Sequence, residues 1–312
     1  MATPDLETTR ASKLSSLTKT QRERLSHIDF RLYFLGELRR ADVVDRFGTG
    51  PAAATRDIAL YREIAPENLA LDNSDKVYRP TSTFTPLFDH APQRVLTALS
   101  QGFGEGIGDE LHPLLRCEIP SALSLPAMDV LAPITRAINR GKAVKLAYTS
   151  IDSGRTEKEL VPLALVDIGI RWHVRAFDRK HHEFRDFVLT RMEHPEVLET
   201  SEVLVEERPE ADIQWSRIIE LDFVVHPSHK RPAVVEMDYG IASGQTLHVR
   251  VRAANAGYML RRMNVDCSPD HSLKGPEIAL WLKDPLALYG ASNARLAPGY
   301  VDPNPSRTIA AM

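Results

Sequence analysis

The chain has 312 residues, 43% hydrophobic and 26% charged, which excludes a wholly disordered protein and favours two or three compact domains. The formal charge of −3 conceals an asymmetry, because residues 10–62 carry eleven Lys or Arg against six Asp or Glu, which favours a polyanionic partner for this end. No segment resembles a signal peptide or a membrane helix, and Cys117 and Cys267 are too isolated for a disulfide framework or a CxxC metal site. We therefore expect a cytoplasmic protein without metal or cofactor.

The basic segment carries the pattern of three helices. From Arg24 onward, apolar residues recur at intervals of three and four, as in an amphipathic helix: Leu25, Ile28, Leu32 and Leu35. The stretch ADVVDRFG predicts a second helix closed by Gly48, and Pro51 behind Thr49 and Gly50 predicts the start of a third. Two helices joined by a tight turn are typical of a helix-turn-helix.

The third helix has two different faces. One is apolar and includes Ala54, Ile58, Tyr61 and Ala65, while the opposite face carries small residues and arginines that can approach a duplex. On this face and the turn before it, we predict DNA contacts from Thr49, Ala52, Thr55, Arg56 and Arg62.

The segment NLALDNSDKVYRPT predicts a hairpin that turns at residues 72–75. A hairpin that follows a helix-turn-helix is typical of a wing, and we predict that Lys76 and Arg79 hold phosphates from it. The alternative is a plain helical bundle followed by a hairpin.

The stretch QGFGEGIGD, residues 101–109, lacks the GxGxxG spacing of a dinucleotide site and predicts a flexible connection. A helix over residues 128–140 then leads into residues 143–192, whose apolar and polar residues alternate as in consecutive strands. These strands predict a small β barrel.

One predicted strand of the barrel would direct Arg171, His173 and Arg175 to a single face. Guanidinium groups suit phosphates and carboxylates, so this face predicts an anion site. We expect neighbouring arginines to keep His173 neutral, and Trp172 to point the other way into the core.

Further side chains are predicted to join this anion site. The complete predicted set is Tyr148, Ser150, His173, Arg175, Arg185 and Arg191. The alternative is that the arginines pair with Asp178, Glu183 and Asp186. The adjacent His181 and His182 raise a metal site as a competing idea, but neighbouring strand residues point to opposite faces and could not chelate together.

Beyond residue 202, RIIELDFVV and TLHVRVRA predict strands, while PAVVEMDYG and GYMLRRMNV predict helices. A small α+β domain accounts for this pattern. The predicted fold class is therefore α+β and multidomain.

These motifs together resemble the WYL-domain transcriptional regulators, in particular the BrxR and CapW type found with phage-defence operons. The family's tripeptide stands here as Trp172-His173-Val174, within GIRWHVRAFDRKHHEFRDFVLTRM, and the N-terminal helices and residues 218–288 also resemble the family. The resemblance implies a homodimeric repressor with a winged helix-turn-helix, an Sm-like β barrel that binds a nucleotide or nucleic acid fragment, and a C-terminal dimerisation domain. Its pocket positions correspond to the six residues given above. The chain departs from the family in EKELVP, where a basic residue is common, and at Leu163, where a polar residue is common. These departures imply either an altered pocket or a pocket that uses Lys158 as its cation instead.

The sequence thus predicts four parts: a winged helix-turn-helix at 1–92, a linker with a helix at 93–127, a WYL ligand-sensing domain at 128–200 and a dimerisation domain at 201–312. The predicted function is a dimeric repressor that binds an inverted repeat, is regulated by an anionic ligand and controls a phage-defence operon. Two alternatives stay open. One is a nucleotide-processing enzyme that uses the same cationic cleft, and the other is a constitutive repressor in which the WYL domain is only a scaffold.

Overall fold

The structure, a computed structural model, describes residues 6–103, 113–118 and 124–304. It divides into two compact units, Met1–Pro120 and Ser121–Met312. Most of the predicted flexible connection, residues 104–109, lies outside the described residues.

The first unit consists of helices followed by a hairpin and a further helix. Its elements are α1 Leu6–Ser15, α2 Lys19–Phe30 with a π-helical continuation Arg31–Leu35, α3 Arg40–Phe47, α4 Pro51–Ile64, β1 Leu69–Asp72, β2 Val77–Pro80 and α5 Pro92–Gln101. Local signals explain the helix ends: Thr18 and Gln21 form a capping box at the start of α2, and Gly36 and Gly48 close helices with positive φ. The predicted helix-turn-helix and hairpin are therefore present.

The core of the first unit lies between α2, α3 and the inner face of α4. Ala54, Ile58, Tyr61 and Ala65, which were predicted to share a face, are all buried there. The hairpin is attached to this core through Leu38, whose backbone exchanges two hydrogen bonds of 2.9 Å with Tyr78. The hairpin is thus held beside the helix-turn-helix.

The second unit begins with a helix and an antiparallel sheet. The elements are α6 Met128–Arg140, β3 Ala143–Ser150, β4 Gly154–Asp167, β5 Trp172–Asp178, β6 Glu183–Val188 and β7 Met192–Leu198, in the sheet order β6-β5-β4-β3-β7. Within the described residues β6 and β7 are edge strands without a ladder between them, so the closed barrel is not confirmed. Val130, Ile134 and Ala137 of α6 contribute to the core on one face of the sheet.

The second unit continues with a smaller mixed layer. Its elements are α7 Ile213–Ser216, β8 Ile218–Val225, α8 Pro232–Tyr239, β9 Leu247–Arg252, α9 Ala253–Arg262 and β10 Leu280–Leu282, with the strand order β10-β8-β9. The predicted strands and helices of this region are present, and the short β10 was not predicted. No helix in the described part of the chain combines the length and the apolar character needed to span a bilayer.

Candidate nucleic-acid interface and anion site

The outer face of α4 is exposed, as the sequence predicted. Ala52, Thr55, Arg56 and Arg62 are all exposed, and Thr49 in the turn before the helix is half-buried. Small residues at the start of the helix leave its backbone accessible to a groove, and the arginines project farther along the same side. This face has the shape and charge of a recognition helix.

Buried polar contacts fix α4 from its inner side. The guanidinium of Arg24 donates two hydrogen bonds to the carboxylate of Asp57, at 2.6 and 3.2 Å, and the hydroxyl of Tyr61 donates one of 2.6 Å to buried Asp29. Two-pronged, charge-assisted bonds of this kind are both strong and directional. They determine which side of α4 faces outward.

The hairpin uses Arg79 differently from the prediction. Its guanidinium donates to Asp72 at 2.8 Å and to Asp75 at 2.5 and 3.2 Å, and these bonds help to hold the pKa of Asp75 below its usual value. The hairpin fold brings these carboxylates beside Arg79, so its side chain shapes the wing and is already engaged. Lys76 is exposed, at a positive φ of 58°.

Sequence reasoning missed one cation at this interface. A groove of about 570 Å³ runs between α3, α4 and the hairpin, and Arg40 lines it together with Thr55 and Lys76. Arg62 stands over the ring of Tyr78 in the hairpin, 5.6 Å from the centroid. The local sequence signal for Arg40 is the charged run after Gly36, which by itself does not indicate a DNA contact.

The predicted anion site is only partly assembled. His173 and Arg175 lie on one face of β5 and are both 3% exposed. Arg175, however, donates to Asp212 at 2.8 and 3.1 Å and to Asp186 at 3.2 Å. The guanidinium of Arg175 is thus neutralised, as in the alternative interpretation, and one partner lies 37 residues away in the chain.

Arg185 does not join this face. It is paired across the sheet with Ala176, whereas Arg175 is paired with Asp186. Directly opposite residues of an antiparallel pair share a face, so Arg185 points to the other side, where it forms an ion pair with Glu183.

Arg191 acts on His173 through its charge. Strand β6 ends at Val188, and a 3₁₀ turn over Leu189–Arg191 redirects the chain. Burial lowers the pKa of His173 to about 4, with smaller contributions from Arg171 and Arg191. The imidazole is therefore neutral at pH 7.

The predicted hydroxyl groups lie elsewhere. The oxygen of Tyr148 is in the core and accepts a 3.3 Å bond from the backbone N–H of Val188, and the hydroxyl of Ser150 accepts one of 3.2 Å from the backbone of Asp152. Lys158, the substitute cation, pairs at 2.7 Å with buried Asp178.

Trp172 was predicted to lie in the core, and this was wrong. It is 37% exposed, because it begins β5 beside a turn in which Ile170 is also exposed. Val174, on the same side of the strand, is fully buried.

The cations that remain available meet at a cavity of about 280 Å³ in the second unit. Arg171, in the turn before β5, and His173 of β5 line it on one side, and Tyr258, Arg261 and Arg262 line it from the last turns of α9. The α9 residues were missed because GYMLRRMNV was interpreted only as a helix. In the described part of the chain no group of three His, Cys, Asp or Glu side chains could hold a metal ion.

Comparison with known proteins identifies the family to which this chain belongs. The BrxR transcriptional regulator winged helix-turn-helix domain matches residues 20–101, the WYL domain 129–197 and the BrxR transcriptional regulator C-terminal dimerization domain 218–288. The DNA-binding transcriptional repressor CapW of Escherichia coli is 30% identical over 279 residues, which span 85% of this chain and 90% of that protein. The chain belongs to the BrxR and CapW repressor family.

Another member of the family, CapW of Pseudomonas aeruginosa, is 30% identical over 269 residues, covering 83% of this chain and 87% of that protein. Among solved structures, proteasome accessory factor B/C (PafBC) of Arthrobacter aurescens is 19% identical with a TM-score of 0.24; the match covers 88% of this chain and 47% of that one.

Membership in the BrxR and CapW family defines the function at a coarse level. The protein is a DNA-binding transcriptional repressor with a winged helix-turn-helix, a WYL domain and a dimerisation domain. Its relatives are repressors rather than enzymes, so the nucleotide-processing alternative is set aside.

Proposed function

We propose that this repressor acts in the cytoplasm as a homodimer on an inverted-repeat operator, that an anionic ligand in its WYL domain regulates its DNA affinity, and that it controls a phage-defence operon. The observation that carries the DNA-binding part is the exposed, arginine-bearing face of α4, anchored from behind by Asp57 and Tyr61. The domain limits predicted above belong to this proposal.

In this proposal α4 enters the major groove. Thr55, Arg56 and Arg62 make the main contacts, while Thr49 and Ala52 allow close approach. Arginine is the usual partner of guanine edges, because its fork matches two acceptors on the base. Lys76 and Arg40 hold phosphates on either side of the groove between α3, α4 and the wing. Arg79 keeps the wing folded through Asp72 and Asp75.

A homodimer with two-fold symmetry favours an operator that is an inverted repeat. A dimer with two-fold symmetry presents two copies of α4, and such helices read half-sites about 34 Å apart, one turn of the duplex. The family name of residues 218–288, a dimerisation domain, supports a second copy as partner.

The proposal that a ligand regulates the protein is based on the positively charged side chains of the second unit. Of the predicted set, His173 lines the cavity, and Arg171 lines it as well; the charge of Arg191 acts on the His173 imidazole. A nucleotide or oligonucleotide that binds one dimer geometry better than another shifts the population between operator-fitting and non-fitting forms.

A genomic pull-down tests the DNA-binding part of this proposal. The full-length protein is mixed with sheared DNA of its own genome, and the retained fragments are sequenced. We expect an inverted repeat upstream of a defence operon, with half-site centres separated by about one turn. If the recovered fragments share no inverted repeat, the proposal that a dimer binds a two-fold symmetric operator is contradicted.

The same assay with Arg56→Ala provides the specificity control, and Arg94→Ala is its matched counterpart. Arg94 is an exposed arginine of α5 and does not line the groove beside α4. We expect the Arg56 variant to lose enrichment of the repeat and the Arg94 variant to retain it.

A further inference from the structure

The first unit contains a cavity of about 710 Å³ that is separate from the proposed DNA contacts. It is lined by residues of α2, of the last turn of α3, of the segment before α5 and by Phe103 after α5, and no residue of α4 or of the hairpin lines it. Small-molecule sites in proteins have volumes of about 300 to 1,000 Å³. The cavity therefore has the size of a ligand site.

Aromatic rings form the apolar wall of this cavity. Four segments of the chain contribute one phenylalanine each, namely Phe30, Phe47, Phe88 and Phe103. The rings of Phe30 and Phe103 lie 5.2 Å apart at an angle of 70°. Aromatic rings attract one another in such edge-to-face arrangements. A wall of this composition favours a flat aromatic ligand.

His27 adds a buried polar group without a partner to this wall. It is only 6% exposed, yet neither of its ring nitrogens makes a hydrogen bond within the described residues, and the Asp42 backbone is the weakest of the groups that act on its pKa. His90, the other histidine of the lining, lies 2.8 Å from the carboxylate of Asp29. Neutral imidazole has one donor and one acceptor, and leaving such groups unpaired in the interior costs free energy unless a ligand or water completes them. A ligand in the cavity can supply the missing partner of His27.

The rim of the cavity carries charges of both signs. Arg22, Glu23 and Asp89 are exposed there, and no ion pair in the part of the chain that the structure describes involves any of them. Arg46 adds a second cation, 4.3 Å from the centroid of the Phe103 ring. A ligand with a single charge would face like charge on part of this rim and be repelled there. A zwitterion, in contrast, matches both signs.

We propose that this cavity binds a free aromatic amino acid whose ring carries a hydrogen-bonding group. The ring lies among the four phenylalanines, with its N–H or O–H bonded to His27. Arg22 and Arg46 hold the carboxylate, since guanidinium groups bind carboxylates through charge-assisted bonds. The ammonium group faces Glu23 and Asp89. The site belongs to the first unit and does not depend on a ligand of the WYL domain.

The position of the cavity connects its ligand with the helix-turn-helix. Phe47 is the last residue of α3, and Gly48, with a φ of 57°, follows it in the turn to α4. A ligand packed between α2 and Phe47 favours the arrangement of α3 that contacts it best. We therefore expect occupancy to change the affinity for the operator without any contact between ligand and DNA.

Calorimetric titration of the full-length protein at pH 7.5 tests the inference. The probes are L-tryptophan, L-tyrosine and L-phenylalanine. We expect L-tryptophan or L-tyrosine to bind, and L-phenylalanine to bind at least about tenfold more weakly, because its ring leaves His27 without a partner. If neither L-tryptophan nor L-tyrosine binds, the inference is overturned. If L-phenylalanine binds as tightly as they do, the hydrogen bond to His27 is overturned.

Variants test whether the amino acid binds in this cavity. Arg22→Gln, at an exposed position, should weaken binding of the better probe by about tenfold, the value of a lost charge-assisted bond. The matched control is Arg94→Gln, at an exposed arginine of α5 outside the cavity, which should bind as the wild type does. His27→Leu should lose the preference over L-phenylalanine. Wild-type affinity in Arg22→Gln, or loss of binding in Arg171→Gln of the second unit, would overturn the assignment to this cavity.

Operator affinity, measured with and without a saturating concentration of the better probe, tests the effect on α3. We expect a change of about fivefold or more in the wild type, the lower end of allosteric coupling, and a smaller change in Arg22→Gln at the same concentration. If the probe binds in calorimetry but operator affinity stays constant, the site stands and its connection with the helix-turn-helix is overturned. An equal response in Arg22→Gln would overturn the assignment of that response to this cavity.

Discussion

His27 is a buried histidine whose protonation opposes folding. It packs edge-on against the rings of Phe47 and Phe103, and burial, followed by Arg46 and Arg31, lowers its pKa to about 3. In the unfolded chain a histidine takes up its proton near pH 6.5. Between these two pH values the unfolded state binds more protons, so stability falls as the pH is lowered from about 6.5 towards 3.

Replacing this residue should flatten the pH dependence. His27→Leu removes a contribution of up to about 1.4 kcal/mol per pH unit below pH 6.5. Urea unfolding of the variant and the wild type at pH 7.5 and 5.0 measures the difference. His194→Asn, at an exposed left-handed position that Asn tolerates, serves as control and should retain the wild-type slope. If the pH dependence of stability is the same in His27→Leu as in the wild type, its assignment to His27 is contradicted.

Asp57 stabilises the first unit through Arg24. The pair is largely buried, with side-chain exposures of 19% and 7%. Asp57→Asn removes the charge but keeps the shape, and we expect a loss of about 2 kcal/mol, the range of a hydrogen bond to a charged group. On the same helix, Glu63 forms a well-exposed pair with Lys13, so Glu63→Gln should change stability by less than about 0.5 kcal/mol. Equal effects in chemical denaturation would show that burial of the Asp57 pair is unimportant.

At the scale of elements, the turn between α3 and α4 depends on one glycine. Gly48 has a φ of 57° and Gly50 has −71°, and a Cβ atom at either position would meet no neighbour. The two sites therefore differ in backbone conformation rather than in space. Gly48→Ala should cost about 1 kcal/mol, whereas Gly50→Ser should be neutral or slightly stabilising, since Ser caps α4. Thermal unfolding of the two variants measures this contrast, and an equal response would contradict it.

The helix-turn-helix and the hairpin of the first unit could be predicted because their signals are local, whereas α1 Leu6–Ser15 was not predicted. Helix periodicity, Gly48 and Pro51 determine where α3 and α4 end and begin, and the same periodicity identifies the exposed face of α4. The anion site could not be predicted in the same way. Its outcome depends on Asp212, which neutralises Arg175 from 37 residues away, and on the contribution of α9.

Local irregularity caused the other errors. Strand alternation would place Arg185 and Arg191 on one face, but the 3₁₀ turn at Leu189–Arg191 ends the alternation of β6 before Arg191. Trp172 looked like a core residue by alternation, but alternation does not show where a strand begins. Closure of a barrel depends on the pairing of edge strands, which has no signal within either strand.

At the scale of the whole molecule, binding depends on charge that the net value of −3 conceals. Phosphate contacts from Arg40 and Lys76 in each of two subunits release counterions from the duplex. We expect the logarithm of the association constant to fall linearly with the logarithm of salt concentration, with a slope of about −4 for these four contacts. Lys76→Ala should reduce this slope by about two per dimer and weaken all sequences alike. A salt-independent affinity would contradict an interface built from these cations.

We propose that the outer face of α4 contacts the bases of the operator. Fluorescence anisotropy of a labelled operator, recovered from the genomic pull-down, tests this with wild-type protein, Arg56→Ala and Arg94→Ala at one salt concentration. We expect the Arg56 variant to lose about 1 to 3 kcal/mol of binding free energy per half-site and the Arg94 variant to bind as the wild type does. Wild-type affinity in the Arg56 variant, or equal losses in both, would contradict it.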